Sequence, residues 1–208
     1  MSGASPLVFV VDDDLSVRKS LTRLLEAAGY LVEPFGSARE FLAREPHLGA
    51  CCLVLDVRMP GLTGLELQER LVAEGRRVPI VFVTGHVDVP KSVKAMKAGA
   101  VDLLTKPVDA KDLIAAIQRA VAKDVEDRSA ETRVAEVRQR VKLLTVREME
   151  VFALVVTGML NKQIAAALGI GEKTVKVHRA RVMEKMRAGS VAELVRLADE
   201  VGVIVPKS

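Results

Sequence analysis

Four short segments carry side chains that could do chemistry together: Asp12-Asp13-Asp14, Asp56, Thr84 and Lys106-Pro107. Carboxylates gathered in one place repel one another unless something neutralises them. A hard divalent cation does so, and Mg²⁺ is held by one or two carboxylates together with water and phosphate oxygens. Asp13 and Asp56 suit direct ligation, and Asp12 suits ligation through a water. The Thr84 hydroxyl and the Lys106 ammonium complete a set able to receive a phosphoryl group on a carboxylate oxygen and to hold its charge. Each residue alone is an ordinary polar strand end; the weight lies in four strand ends agreeing.

Each segment follows a short apolar run: Leu7–Val11, Cys52–Leu55, Ile80–Val83 and Val101–Leu104. Continuous Val, Leu, Ile and Phe predicts strands buried on both faces. Helical patterns lie between them, such as Val17, Leu21, Leu24, Leu25 and Ala28 before Gly29, where a C-cap would fall. With a weaker strand at Leu31–Phe35 and a last helix through Leu113, Ile114 and Ile117, the first half is a fivefold β-α alternation. That pattern predicts a doubly wound parallel sheet, whose ligands bind at the carboxyl ends of the strands.

Val11-Asp12-Asp13, Asp56 through Gly61, Thr84-Gly85 and Lys106-Pro107 closely resemble the receiver domain of response regulators, in register over residues 7–122. The resemblance implies that Asp56 takes phosphate from a sensor histidine kinase. It further implies that Asp12 and Asp13, with Asp56 and the Arg58 carbonyl, organise Mg²⁺ or Mn²⁺, and that Lys106 and Thr84 contact the phosphoryl group. A cis bond before Pro107 is implied as well. One position departs: three residues before the lysine, receivers usually carry Phe or Tyr as a rotating switch, and here stands Leu103, a smaller lever. His86 reads as a residue at the rim of the site, since Mg²⁺ disfavours imidazole, and His47, beside Pro46, as a surface loop residue. A phosphatase using Asp56 as covalent nucleophile is the competing enzyme reading. A second acid two residues on would favour it, but position 58 is Arg and no substrate-cap segment is present, so no enzyme activity is expected.

After Ala122 the apolar pattern loosens into charge, yet Val134, Val137, Val141 and Leu144 keep a 3-4-3 spacing, which predicts a helical linker over 123–140. Beyond it come four short helices, about 145–156, 161–168, 172–187 and 190–201, an all-α domain over 141–208. Asn161 through Val175 has the form of two helices joined by a tight glycine turn, with Ile164, Ala165 and Leu168 on one apolar face. Val175, Val182 and Met186 bury one side of the next helix and leave Lys173, Lys176, Arg179 and Arg181 on another. Residues 172–187 hold six Lys and Arg against two Glu, and such a helix fits the DNA major groove.

Leu144 through Glu148, Gly158, Asn161-Lys162, Ile164-Ala165 and Thr174 through His178 resemble the LuxR-type helix-turn-helix of the NarL/FixJ subfamily. On that likeness Lys176 and Val177 point to bases. Lys162, Thr174, His178, Arg179 and Arg181 are then phosphate or groove-edge contacts, with His178 equally suited to internal bracing. Glu148 reads as structural, since phosphates would repel it.

Charge and composition agree with such a division. Residues 1–124 hold 16 basic and 16 acidic side chains, whereas 125–208 hold 15 and 11, so the second half is the one suited to a polyanion. Aromatics are 3% of the chain, leaving the cores to aliphatic residues. Cys51 and Cys52 are adjacent in an apolar run and read as reduced core thiols. No window approaches the length of a membrane span, and a cytoplasmic protein is expected, with no membrane partner. Taken together, the resemblances imply a two-component transcriptional regulator, an activator by subfamily. Its phosphorylated receivers would pair through a face including Val93 and Lys97, strengthening binding to double-stranded DNA and engaging RNA polymerase. Inhibition of the DNA-binding half by the unphosphorylated receiver is an alternative mode of control.

Overall fold

The computed structural model describes residues 5–85 and 88–203. The chain divides into two compact units, Met1–Asp127 and Arg128–Ser208. In the first, five strands alternate with helices: β1 Leu7–Val11, α1 Leu15–Ala27, β2 Leu31–Phe35, α2 Ala38–Ala43, β3 Cys51–Asp56, α3 Gly64–Ala73, β4 Ile80–Thr84, α4 Val89–Lys97, β5 Asp102–Thr105 and the start of α5, Ala110–Lys142. The strands form one parallel sheet in the order β2-β1-β3-β4-β5. Pro34 sits in β2, an edge strand, where a missing N–H is tolerated.

The two-residue period of the strands sends alternate side chains to opposite faces. Phe9, Val11, Leu53, Leu55 and Phe82 pack with Phe41 of α2, Leu67 and Leu71 of α3 and Ala95 of α4. Val8, Val10, Val54, Val81 and Val83 pack with Leu21 and Leu25 of α1 and with Leu113, Ala116 and Ile117 of α5. Both faces are therefore covered, which is why the strands read as unbroken apolar runs. Cys51 and Cys52 lie in these buried layers, and neither is part of a disulfide. His47 departs from expectation: it is half-buried, its ring edge-on to Phe9, because the loop before β3 folds back over the aromatic cluster.

α5 continues without interruption through 123–140, the segment expected as a helical linker. It contains neither Gly nor Pro, so nothing in its backbone stops it. In the second unit Val137 of α5 is buried with Phe152 of α6 (Val146–Val155), Ile164 of α7 (Asn161–Leu168), Val175 and Val182 of α8 (Glu172–Met186) and Leu194 of α9 (Val191–Val201). The four helices after α5 thus fall where the sequence placed them.

One buried carboxylate fixes α8. Glu148 accepts the Thr145 backbone N–H at the start of α6 and pairs with Lys185 Nζ at 2.6 Å, while that ammonium also reaches the Leu143 carbonyl at 3.0 Å. At the end of α8, Arg140 donates to the Met186 carbonyl, a cation placed at the negative end of a helix. The Lys185 hydrogen bond, followed by that from Thr145, pulls the Glu148 carboxyl down to about 2. A folded pKa below the ordinary glutamate value stabilises the fold above that value, and the stabilisation fades as the pH falls toward 2.

Two expectations follow from the packing. A Cβ added at Gly64 would stand 2.1 Å from the Asp56 carbonyl oxygen, so Gly64→Ala should lower stability to urea by about 2 kcal/mol or more; an unmoved midpoint would mean that the turn after β3 yields freely. Glu148→Gln should unfold at lower temperature than the parent at neutral pH, with the gap closing as the pH is lowered from about 5 toward 2. A gap independent of pH would show that the ion pair is not its source.

Candidate phosphoacceptor site and candidate DNA interface

The chain leaves β1 on one side to form β2 and returns on the other to form β3. The switch in direction opens a crevice beyond the carboxyl ends of β1 and β3. Asp12, one residue past β1, and Asp56, the last residue of β3, both point into this crevice and are 1% and 7% exposed. Lys106, one residue past β5, spans them: its Nζ lies 2.7 Å from Asp12 Oδ2 and 3.1 Å from Asp56 Oδ2. Ligand oxygens of Asp12, Asp13 and Asp56 all lie within 4.8 Å of one another. All three donors are hard oxygens, with no imidazole or thiolate among them, so the cluster fits a divalent cation of the oxygen-preferring class.

Local structure explains the aim of each carboxylate. Asp14 caps α1, accepting from the Ser16 and Val17 N–H groups, and its own N–H is held by Asp12 Oδ1 at 2.9 Å. Asp13 is thereby left exposed at the mouth. Asp56 accepts from the Arg58 N–H at 3.3 Å, while the Arg58 side chain is exposed. Burial pushes the Asp56 carboxyl up from its ordinary value; Lys106 opposes the rise, and the Asp12 charge adds to it. Desolvation works against the Lys106 ammonium, but the hydrogen bond to Asp12 and the charges of both acids outweigh it and raise its pKa. The carboxylate at 56 is thus accessible at one edge and adjoined by a fixed cation, an arrangement able to take up and hold an anionic group.

Thr84 ends β4 beside this pair, 2% exposed, and its carbonyl accepts the Lys106 N–H at 2.8 Å. The bond before Pro107 is cis. Leu103 is half-buried and lines a small cavity with Val57, Leu65, Thr84 and Ser92. Val93 and Lys97 lie on the exposed side of α4 with Val89 and Met96. His86 falls outside the described residues. Two contacts were not legible in the sequence: Arg18 Nη1 donates to the Asp12 carbonyl at 2.5 Å, and Gly64 admits the Asp56 carbonyl. Arg18 is one of many basic residues on helix surfaces, and only the small residue at 64 hinted at close approach.

In the second unit Lys162, Thr174, Lys176, Val177 and Arg181 are exposed, while Val175, Val182 and Met186 are buried on the other side of α8. Lys176 lies 3.9 Å from Glu172 one turn earlier, a loose surface pairing. His178 is half-buried, its Nδ1 enclosed without a hydrogen-bond partner, which brings the bracing alternative forward. Arg179 is also half-buried and donates to Asn161. Side-chain caps close α1, α2, α3, α4, α6 and α9. α7 and α8 instead start from Leu160 and Gly171, with no side-chain acceptor. At α7 the Leu160 N–H is taken by Gln163 Oε1, and the N–H groups of the first turns that no N-cap side chain accepts face outward, toward where an anion could meet them.

Residues 8–118 match the family of response regulator receiver domains, and residues 142–198 match the bacterial regulatory proteins of the luxR family. Nodulation protein W of Bradyrhizobium diazoefficiens is 47% identical over 197 residues, 95% of this chain and 87% of that protein. Transcriptional regulatory protein FixJ of Azorhizobium caulinodans is 46% identical over 196 residues, 94% and 93% of the two chains. Among solved structures, the response regulator StyR superposes with a TM-score of 0.83 at 47% identity, covering 95% of this chain and all of that one. No helix among the described residues is long and apolar enough to cross a membrane.

Proposed function

The chain belongs to the NarL/FixJ-type response regulators, phosphorylation-controlled transcriptional regulators, and on that premise we propose that Asp56 is its phosphoacceptor. The observation that carries this is the Lys106 ammonium, which joins Asp12 to Asp56 in a crevice where three acids converge. On this reading the receiver spans residues 1–122 and is followed by a helical linker, 123–140, and the DNA-binding domain, 141–208.

Asp13 and Asp56 with the Arg58 carbonyl would hold Mg²⁺, or Mn²⁺ in its place, and Asp12 would hold it through water. The cation, when bound, supplies charge neutralisation for the phosphoryl oxygens. Asp56 attacks the phosphorus of a phosphohistidine on a sensor kinase: an Oδ–P bond forms, the N–P bond breaks, and the histidine departs with the N–P electron pair. Lys106 pairs with a phosphoryl oxygen, and the Thr84 hydroxyl donates to another, drawing its loop inward. Leu103, in contact with the same cavity as Thr84, repacks as that loop moves. The change passes to α4, where Val93 and Lys97 form part of a face on which two phosphorylated chains pair.

Pairing places two DNA-binding domains on one duplex and raises the local concentration of the second. Lys176 and Val177 reach base edges. Lys162, Thr174, Arg181 and Arg179 meet phosphates, assisted by the uncapped starts of α7 and α8, and His178 either joins them or braces α8. The regulator acts in the cytoplasm as an activator that engages RNA polymerase.

Labelled acetyl phosphate with Mg²⁺ should label the parent chain and leave Asp56→Asn unlabelled; label retained by the variant would place the acceptor elsewhere. Beryllofluoride should convert the parent to a dimer with tighter DNA binding. Conversion to neither would separate phosphorylation from the output assigned to α4. Lys176→Ala should weaken binding to a duplex at every salt concentration tested and lower the salt slope by about one if the ammonium also displaces a counterion; unchanged affinity throughout would remove Lys176 from the interface.

A further inference from the structure

Asn161 occupies the first position of α7, one residue too late to cap it. An asparagine at the preceding position would accept an N–H of its own helix. That place is taken by Leu160, whose N–H is instead accepted by Gln163 Oε1 at 2.8 Å. The Asn161 side chain turns outward to the neighbouring helix and accepts Arg179 Nη1 at 3.0 Å. Guanidinium groups only donate, so the atom facing Arg179 must be the amide oxygen.

The placement is electrostatically costly as it stands. The start of α7 is the positive end of its dipole, and Lys162 adds a charge at the next position. A guanidinium held there sits among like charges, and both residues are only half-buried, so surrounding packing alone does not dictate it. A phosphate at the same place would pair with every one of these groups. An arginine is suited to the task because its planar fork can spend one N–H on Asn161 and keep others for an anion.

We infer that Asn161 is a positioning residue for DNA binding: its side-chain oxygen holds the Arg179 guanidinium beside the start of α7, so that Arg179 and Lys162 meet the same stretch of phosphate backbone. The inference rests on the DNA-binding role of α7 and α8. Asn161 itself touches no DNA; it acts through Arg179.

The test is a double-mutant cycle on the full chain. Affinity is read for a labelled duplex of mixed sequence, several helical turns long, across a series of salt concentrations. Arg179→Ala is expected to weaken binding and to reduce the steepness of the salt dependence by about one counterion. Asn161→Ala is expected to weaken binding about tenfold, the effect of losing a hydrogen bond to a charged group, and to cause no further loss once Arg179 is Ala. Arg179→Lys keeps the charge but not the fork. It should therefore match Asn161→Ala in affinity, keep the parental salt slope, and gain nothing from the second substitution.

Losses that simply multiply, or parental binding by Asn161→Ala, would overturn the inference. So would a common fall in melting temperature with no coupling in the cycle, which would mark the contact as a helix tie alone. Parental affinity in both Arg179→Ala and Lys176→Ala would defeat the DNA-binding reading itself, and the inference with it. Loss in those two alone would defeat only the role of Asn161.

Discussion

The first unit is organised by the cost of holding two nearly buried carboxylates side by side. Asp12 and Asp56 lie at adjacent strand ends and share a single ammonium, supplied from a strand two places beyond β3. That ammonium can reach them only if β5 joins the sheet in register. The Val101 N–H to Ile80 carbonyl and Lys106 N–H to Thr84 carbonyl bonds, each 2.8 Å, fix both ends of this strand. Even so, one ammonium bridges the carboxylates while three acids converge once Asp13 is counted, the Arg18 guanidinium being engaged by the Asp12 main-chain carbonyl. The crevice is left short of positive charge at its mouth, and a divalent ion is the economical remedy. A phosphoryl group then adds negative charge to a site whose cations are already placed, so little reorganisation of dipoles is required.

The second unit presents the complementary imbalance. Its one strongly buried carboxylate among the described residues, Glu148, is satisfied internally by Lys185 and by the capping N–H of Thr145. The exposed cations of α8 are met within that helix only by the loose Lys176–Glu172 pairing, and the starts of α7 and α8 carry no N-cap side-chain acceptor. The crevice of one unit is therefore short of positive charge, whereas α8 of the other carries more cations than anions. The pattern is more informative than the net charge of +4, because it specifies where each missing charge belongs.

Much of this was legible in the sequence, for identifiable reasons. A parallel sheet sends consecutive strand ends to one edge, so Asp12, Asp56, Thr84 and Lys106 could be placed together from their positions after apolar runs. Helix periodicity likewise located Val175, Val182 and Met186 on the buried side of α8. Contacts set by the spacing between distant elements were not legible. The donation from Arg18 to the Asp12 carbonyl, the approach of the Asp56 carbonyl to Gly64 and the Arg179–Asn161 bond all depend on how two elements lie together. The helical course of residues 123–140 was legible from the spacing of Val134, Val137, Val141 and Leu144, whereas its continuity with the helix through Ile117 was not, because a shift toward charged residues neither starts nor stops a helix that lacks Gly and Pro.

Leu103 shows how far the site geometry constrains its own readout. A tyrosine or phenylalanine at that position could swing a large ring between a buried and an exposed rotamer. Leucine has no hydroxyl to exchange for water and a smaller volume, so a rotamer change alone would expose little surface. It nonetheless borders the same cavity as Thr84, Val57 and Leu65, and Ser92 of α4 lines that cavity too. If Thr84 moves toward an anion on Asp56, that cavity changes shape, and close-packed interiors do not leave voids unfilled. The side chain best placed to follow is Leu103, and the helix that must accommodate it is α4. A signal at Asp56 would then emerge as a displacement of α4 rather than as the turning of a ring.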